Sequence, residues 1–132
     1  SEYFDRIEPV QDAREALYIL SQKRDNVFVT SRPLEIKTKT DLSLSRNFVG
    51  SYVGIFYSGD ASRQGKTKAE ICKEIGASLI VEDCLEYALD CSAQGIPVFL
   101  IDQPWNQNGD LSDTLITRIK LSWPQILGRI TG

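Results

Sequence analysis

Histidine and methionine are absent from the 132 residues. Without histidine there is no Ser-His or Cys-His nucleophile pair and no His-bound zinc. The missing methionine includes position 1, where Ser1 stands. Removal of an initiator methionine and an internal start within a longer chain both accommodate it. Cysteine is scarce: Cys72, Cys84 and Cys91 are odd in number and lack metal-ligand spacing. Each falls in a stretch read as helix, which predicts small buried thiols in a reducing, cytoplasmic compartment. No apolar run approaches the roughly 20 residues of a membrane-spanning helix, and the opening residues do not read as a signal peptide. Neither sign of charge dominates, since 15 basic and 18 acidic residues leave a net charge of -3. That balance gives no electrostatic case for nucleic acid or an anionic membrane as partner. The length leaves room for one domain with a real core.

What is present is organised around Ser78 to Tyr87, SLIVEDCLEY. The apolar, branched run Leu79-Ile80-Val81 ends in Glu82 and Asp83, and a helical pattern follows. This predicts a strand buried on both faces, delivering carboxylates to the carboxyl end of a parallel sheet, the edge where open α/β sheets bind ligands. The plainer alternative is that the two acids only cap the next helix.

In chain order, Val10, Ala13, Leu17 and Leu20 predict a helix from about Pro9 to Lys23. Val27-Phe28-Val29 is a strand ending in Thr30-Ser31-Arg32-Pro33. Leu34 to Phe48 reads as a weak helix and Val53 to Tyr57 as a second strand. A polar loop runs from Ser58 to Lys66. A helix over Thr67 to Ile75 is closed by Gly76, and one from Leu85 is closed by Gly95. Val98 to Ile101 is a fourth strand, and Asp102 to Asp110 a loop. Ser112 is placed to cap a helix containing Leu115, Ile116 and Ile119. Ser122-Trp123-Pro124 opens a last short helix. Alternating strands and helices predict an α/β fold with a parallel sheet.

Three groups suit phosphoryl chemistry. Thr30 and the backbone N–H groups after it can hold an oxyanion. Lys66 and Lys68 lie at a helix start, where ammonium and dipole favour an anion. Asp83 can bind Mg2+, which prefers carboxylate oxygen and water. A phosphoryl group needs these parts because its transition state spreads charge over three oxygens.

In these pieces the chain resembles the haloacid dehalogenase-like (HAD) phosphohydrolases, and most closely their 5′-nucleotidase-like branch. They are VFVTSRP, then GKTKAEICKEIGASLIVEDCLEYALDCSAQGIPVFLID, then QPWN and the tryptophan of LSWPQI. The resemblance implies a three-layer Rossmann-like parallel sheet with helices on both faces, in a single domain over residues 1–132. It implies Mg2+ as cofactor and a phosphorylated small molecule, nucleotides among them, as substrate. The strand-end Thr of the second motif maps to Thr30, with Ser31 and Arg32 beside it at the substrate. The third-motif lysine maps to Lys68 before Lys66. The acidic pair of the fourth motif maps to Glu82 and Asp83, with Asp83 the better metal ligand. Each has a structural alternative: Thr30 in a turn, the lysines solvated, Arg32 paired with Asp83 or Glu82. Trp105 and Asn106 read as loop packing and Trp123 as core.

One part of the pattern is missing. The family's first motif, DxDxT, supplies the nucleophile and the general acid/base, and none precedes Pro9. Asp5 stands alone and Asp12 lies within a helix. EYFDRIEPV resembles the return from a cap, so the chain reads as starting after the nucleophile strand and most of the cap. Two functions stay open: a Mg2+-dependent phosphomonoesterase domain inactive on its own, or a catalytically inactive module binding a protein partner or phosphorylated ligand. The sheet has three ways to meet the gap. Closure gives the strand order second, first, third, fourth, with Val27 to Val29 laddered to Leu79 to Val81. A strand from a second copy or a missing segment fills the slot, or Ser1 to Ile7 folds into it. Thr30 and Asp83 are expected at one site at the carboxyl edge.

Overall fold

The computed structural model describes residues 10–30, 36–58, 65–120 and 122–131. In chain order the elements are α1 (Val10–Ser21), β1 (Val27–Thr30), α2 (Lys37–Asn47), β2 (Gly54–Tyr57), α3 (Lys68–Glu74), β3 (Ile80–Glu82), α4 (Leu85–Ala93), β4 (Val98–Ile101), a single 3-10 turn at Pro104–Asn106, β5 (Ile116–Ile119) and α5 (Trp123–Thr131). The chain divides into two compact units, Ser1–Lys66 with Trp123–Gly132, and Thr67–Ser122. All strand pairings among the described residues are parallel. The α/β class read from the sequence is therefore the observed one. Among the described residues no helix is long and apolar enough to cross a membrane.

In the first unit, α1 buries Ala13, Ala16 and Leu20 along one face and packs against α5, whose Trp123 and Ile126 are also buried. Asn26 fixes the turn into β1 by donating to the Leu17 and Ser51 carbonyls, each at 2.9 Å. β1 pairs with β2 from Val27↔Gly54 to Thr30↔Tyr57. Helix α2 connects them and buries Thr40 and Leu44, one turn apart, with Phe48 just beyond. The Phe28 ring of β1 meets Phe48 at 5.3 Å and Tyr52 at 5.0 Å between centroids.

In the second unit the strand order is β3-β4-β5. Ala69 from α3, Ala88 and Cys91 from α4, Val98 and Leu100 from β4 and Ile116 from β5 form its core. A reciprocal capping box starts α3: Thr67 accepts from the Glu70 N–H and Glu70 from the Thr67 N–H. Gly76 follows α3 with φ +71°, a conformation that side chains disfavour.

Four expectations are corrected. Residues 112–119 are not a helix: Ser112 sits in a turn, its N–H bonded to Asp110 Oδ1 at 2.9 Å, and Ile116–Ile119 is a strand on β4. Ile116 and Ile119 are three apart and both buried, a spacing that fits a helix or a short strand. β-branched Ile116, Thr117 and Ile119 favour the strand, and the parallel ladder to β4 pairs the backbone groups on that side. β3 is half-buried at all three positions rather than buried on both faces. Cys84 is the half-buried residue before α4 rather than a buried helical thiol, unlike Cys72 and Cys91. Finally, closure, one of the three arrangements open from the sequence, is not the one observed. They lie in two sheets, β1-β2 and β3-β4-β5, with no ladder between Val27–Val29 and Leu79–Val81 among the described residues. Ser1 to Ile7 lies outside the described residues.

Candidate functional site

In the second unit Lys68, Glu82 and Asp83 meet at the carboxyl end of β3. Lys68 is the first residue of α3, and the capping box fixes the direction in which that helix starts. Its side chain is 7% exposed, and its ammonium lies 3.3 Å from Glu82 Oε2. The ammonium also stands 4.3 Å from the centre of the Tyr87 ring, presented by α4, a cation–π contact that compensates for lost water.

Glu82 has a second task. Its Oε1 accepts the N–H groups of Asp83 at 3.0 Å and Cys84 at 3.2 Å. Cys84 stands at the N-cap of α4 and makes no side-chain cap, so Glu82 serves the amides entering that helix. The capping alternative thus holds for Glu82. Asp83 is different. It is buried, and burial, then the charge of adjacent Glu82, push its carboxyl above the usual carboxylate range.

The loop after β4 holds the Asp83 backbone. Trp105 Nε1 donates to the Asp83 carbonyl at 3.0 Å. Asn106 Nδ2 donates to the same carbonyl and to that of Ile101, both at 2.8 Å. Asn106 is fully buried. Arg118 from β5 in turn donates to Asn106 O at 2.6 Å and to Asn106 Oδ1 at 3.2 Å. One amide thus ties the ends of β3 and β4 together, and one guanidinium ties it to β5.

The structure thus brings together Lys68, Glu82 and Asp83. Lys66 is half-buried ahead of Thr67. Thr30 belongs to the first unit, where it is buried and its carbonyl accepts the Ser58 N–H at 2.9 Å and hydroxyl at 3.3 Å. Ser31 and Arg32 lie outside the described residues. No group of three or more His, Cys, Asp or Glu side chains that could hold a metal ion occurs among the described residues. Trp123 is core, as read, at 5% exposure. Sequence reasoning missed Tyr87 and Arg118. Tyr87 lies one helical turn beyond Asp83, a spacing that marks it as a neighbour. Arg118 was hidden by reading its segment as a helix. No protein-family model, curated protein or solved structure matches the chain.

Proposed function

We propose that this chain carries the phosphoryl- and metal-binding part of a HAD-like, 5′-nucleotidase-like phosphomonoesterase of three-layer Rossmann-like architecture. The observation that carries the reading is the cluster of Lys68, Glu82 and Asp83 at the end of a parallel strand. An ammonium has three N–H donors, and among the described residues Lys68 uses one, on Glu82. It keeps capacity for a phosphoryl oxygen. Asp83 is a buried acid beside it, with its backbone held from two sides. Mg2+ is compatible with this donor set, because it binds through one or two carboxylates and keeps several waters. Asp83 is the ligand, and Glu82 is engaged by Lys68 and two amides. The neighbour pairs β1-β2 and β3-β4 also agree with the strand neighbours the resemblance implies on each side of the nucleophile strand. The roles of Thr30, Ser31, Arg32 and Lys66 rest on the resemblance alone.

Calorimetric titration of the chain with inorganic phosphate, with and without Mg2+, tests this. Phosphate binding should require Mg2+, disappear in Asp83→Asn and weaken in Lys68→Ala. Indifference to all three changes rejects the reading. No DxDxT motif occurs in the sequence, so the chain alone should not turn over p-nitrophenyl phosphate, since no nucleophilic carboxylate is in place. The inactive-module reading draws support from Glu82, whose two oxygens already serve the fold. It predicts phosphorylated-ligand or partner binding that persists without Mg2+ and survives Asp83→Asn.

A further inference from the structure

Helices α3 and α4 meet through two matched rungs. Lys68 and Cys72 stand four residues apart on α3, as Tyr87 and Cys91 do on α4. Residues so spaced lie one above the other on a helix face. The first rung is the Lys68 ammonium over the Tyr87 ring, 4.3 Å from its centre. In the second, the Cys91 thiol donates a hydrogen bond to the Cys72 sulfur. Ala69 of α3 and Ala88 of α4, each three residues before its cysteine, are buried in the same core. Side chains this small let two helices approach closely. A disulfide needs Cα atoms within about 7 Å and Cβ atoms about 4 Å apart, and thiols in contact across such helices stand near that geometry. The two sulfurs are unequal. The bond from Cys91, against burial, lowers the Cys72 thiol, and the Lys68 ammonium lowers it further. The thiolate is the nucleophile, so Cys72 reacts first.

We propose that Cys72 and Cys91 are an oxidative modification site, a thiol pair that hydrogen peroxide converts to a disulfide stapling α3 to α4. The Cys72 thiolate attacks one peroxide oxygen, the O–O bond breaks, and hydroxide leaves, giving a sulfenic acid. The proton that Cys72 released turns that hydroxide into water. The Cys91 sulfur then attacks the Cys72 sulfur, the S–O bond breaks, and the leaving oxygen takes the Cys91 proton as a second water. Peroxide is little larger than water, which suits thiols 5% and 1% exposed. Cys84 cannot replace Cys72 as the partner of Cys91. It lies seven residues before Cys91, about 10 Å along a helix axis. In a reducing compartment such a bond is a transient, redox-sensing one. Lys68 is one turn from Cys72, so the staple also fixes the spacing across its ammonium. The inference does not rest on the phosphoryl-binding reading.

The test treats the folded full chain with equimolar hydrogen peroxide and follows intact mass. Unreduced digestion with trypsin and a glutamate-specific protease, which cuts between Cys84 and Cys91 at Glu86, maps the bond. The sequence has no methionine, so the thiols are its most readily oxidised groups. The mass should fall by two hydrogens, with the Cys72 and Cys91 peptides joined, and dithiothreitol should restore it. Cys84→Ser should keep the bond, while Cys72→Ser and Cys91→Ser lose it. The bonded chain should unfold at a higher urea concentration than the reduced one, because the cross-link limits the unfolded chain. Gain of oxygen without a cross-link, a bond through Cys84, or a bond that forms only in urea overturns the proposal. So does a bonded chain that unfolds at lower urea, since the helices would then have been displaced to form it. The peptide map of the unaltered chain decides the matter even if a serine variant does not fold.

Discussion

The Lys68 ammonium lies 3.3 Å from the Glu82 carboxylate, with the two side chains 7% and 9% exposed. A pair this buried is costly to break from one side, about 3–5 kcal/mol, because the remaining charge stays desolvated. The two sides are not equivalent. With Lys68→Met, Glu82 keeps two backbone N–H donors, and the loss should fall near the low end. With Glu82→Leu, the ammonium loses its hydrogen-bonded carboxylate, keeping the Tyr87 ring and the Asp83 carboxyl near it, and α4 loses its substitute cap, so the loss should fall near the high end. Urea unfolding of both variants measures this, and equal losses would show that the amides of Asp83 and Cys84 do not share Glu82's charge.

Asn106 should be the least replaceable uncharged polar residue of the second unit. Its amide nitrogen serves the carbonyls of Asp83 and Ile101, and a buried group left without its partner costs about 1–3 kcal/mol. Asn106→Ala should therefore lose at least that much. Asn106→Asp should be no better, since a carboxylate cannot donate to two carbonyls. Arg118→Ala should cost less, and less again in the Asn106→Ala background, where the bond to Asn106 Oδ1 is gone but those to the Asn106 backbone carbonyl and Asp102 remain. A double-mutant cycle with coupling below about 0.5 kcal/mol would show the two to be independent.

The α/β class and nearly all element positions were legible because helix periods, capping residues and terminal glycines agree locally, as around Thr67, Glu70 and Gly76. The parts that were not legible depend on distant partners. Ile116 to Ile119 fits helix or strand until β4 is beside it. The pairing of β1 with β2, the one it makes among the described residues, likewise reflects ladder partners that no local pattern specifies. In the candidate site, residue types gave Lys68, Glu82 and Asp83. Their division of labour was not readable, because Glu82's capping role depends on Cys84 offering no cap of its own. Arg118 became visible only through Asn106, twelve residues earlier.

The three thiols should react in two classes. Cys72 and Cys91 are 5% and 1% exposed, whereas Cys84 is half-buried. The hydrogen bond it shares with Cys72, and then burial, push the Cys91 thiol up, which keeps it in the unreactive protonated form. Under native conditions a disulfide reagent should modify Cys84 alone, and in denaturant all three. Cys84→Ser should abolish the native reaction. Rapid native modification of Cys91 would show that α4 opens on the time scale of the reagent.

Asp83 should make the chain less stable as pH rises through the folded value of its carboxyl. Burial, then the Glu82 charge, raise that carboxyl above its ordinary 3.8, the value it regains on unfolding. Between the two values the folded chain holds a proton that the unfolded chain has released. Stability therefore falls with rising pH in that window. The contribution is fully present below 3.8 and is lost as pH climbs through the folded value. Asp83→Asn cannot titrate, so its stability should stay flatter there and its advantage over the unaltered chain should grow with pH. Urea midpoints for both proteins across the acid-to-neutral range give the comparison. A difference moving the other way would mean that the Asp83 charge is stabilised in the fold. Mg2+ sharpens the test, because a metal holding the ionised carboxylate competes with its proton. At neutral pH and a hundredfold excess over its dissociation constant, Mg2+ should stabilise the unaltered chain by about 2.7 kcal/mol and leave Asp83→Asn unmoved. Equal stabilisation of both proteins would place the cation elsewhere and remove Asp83 from the proposed site.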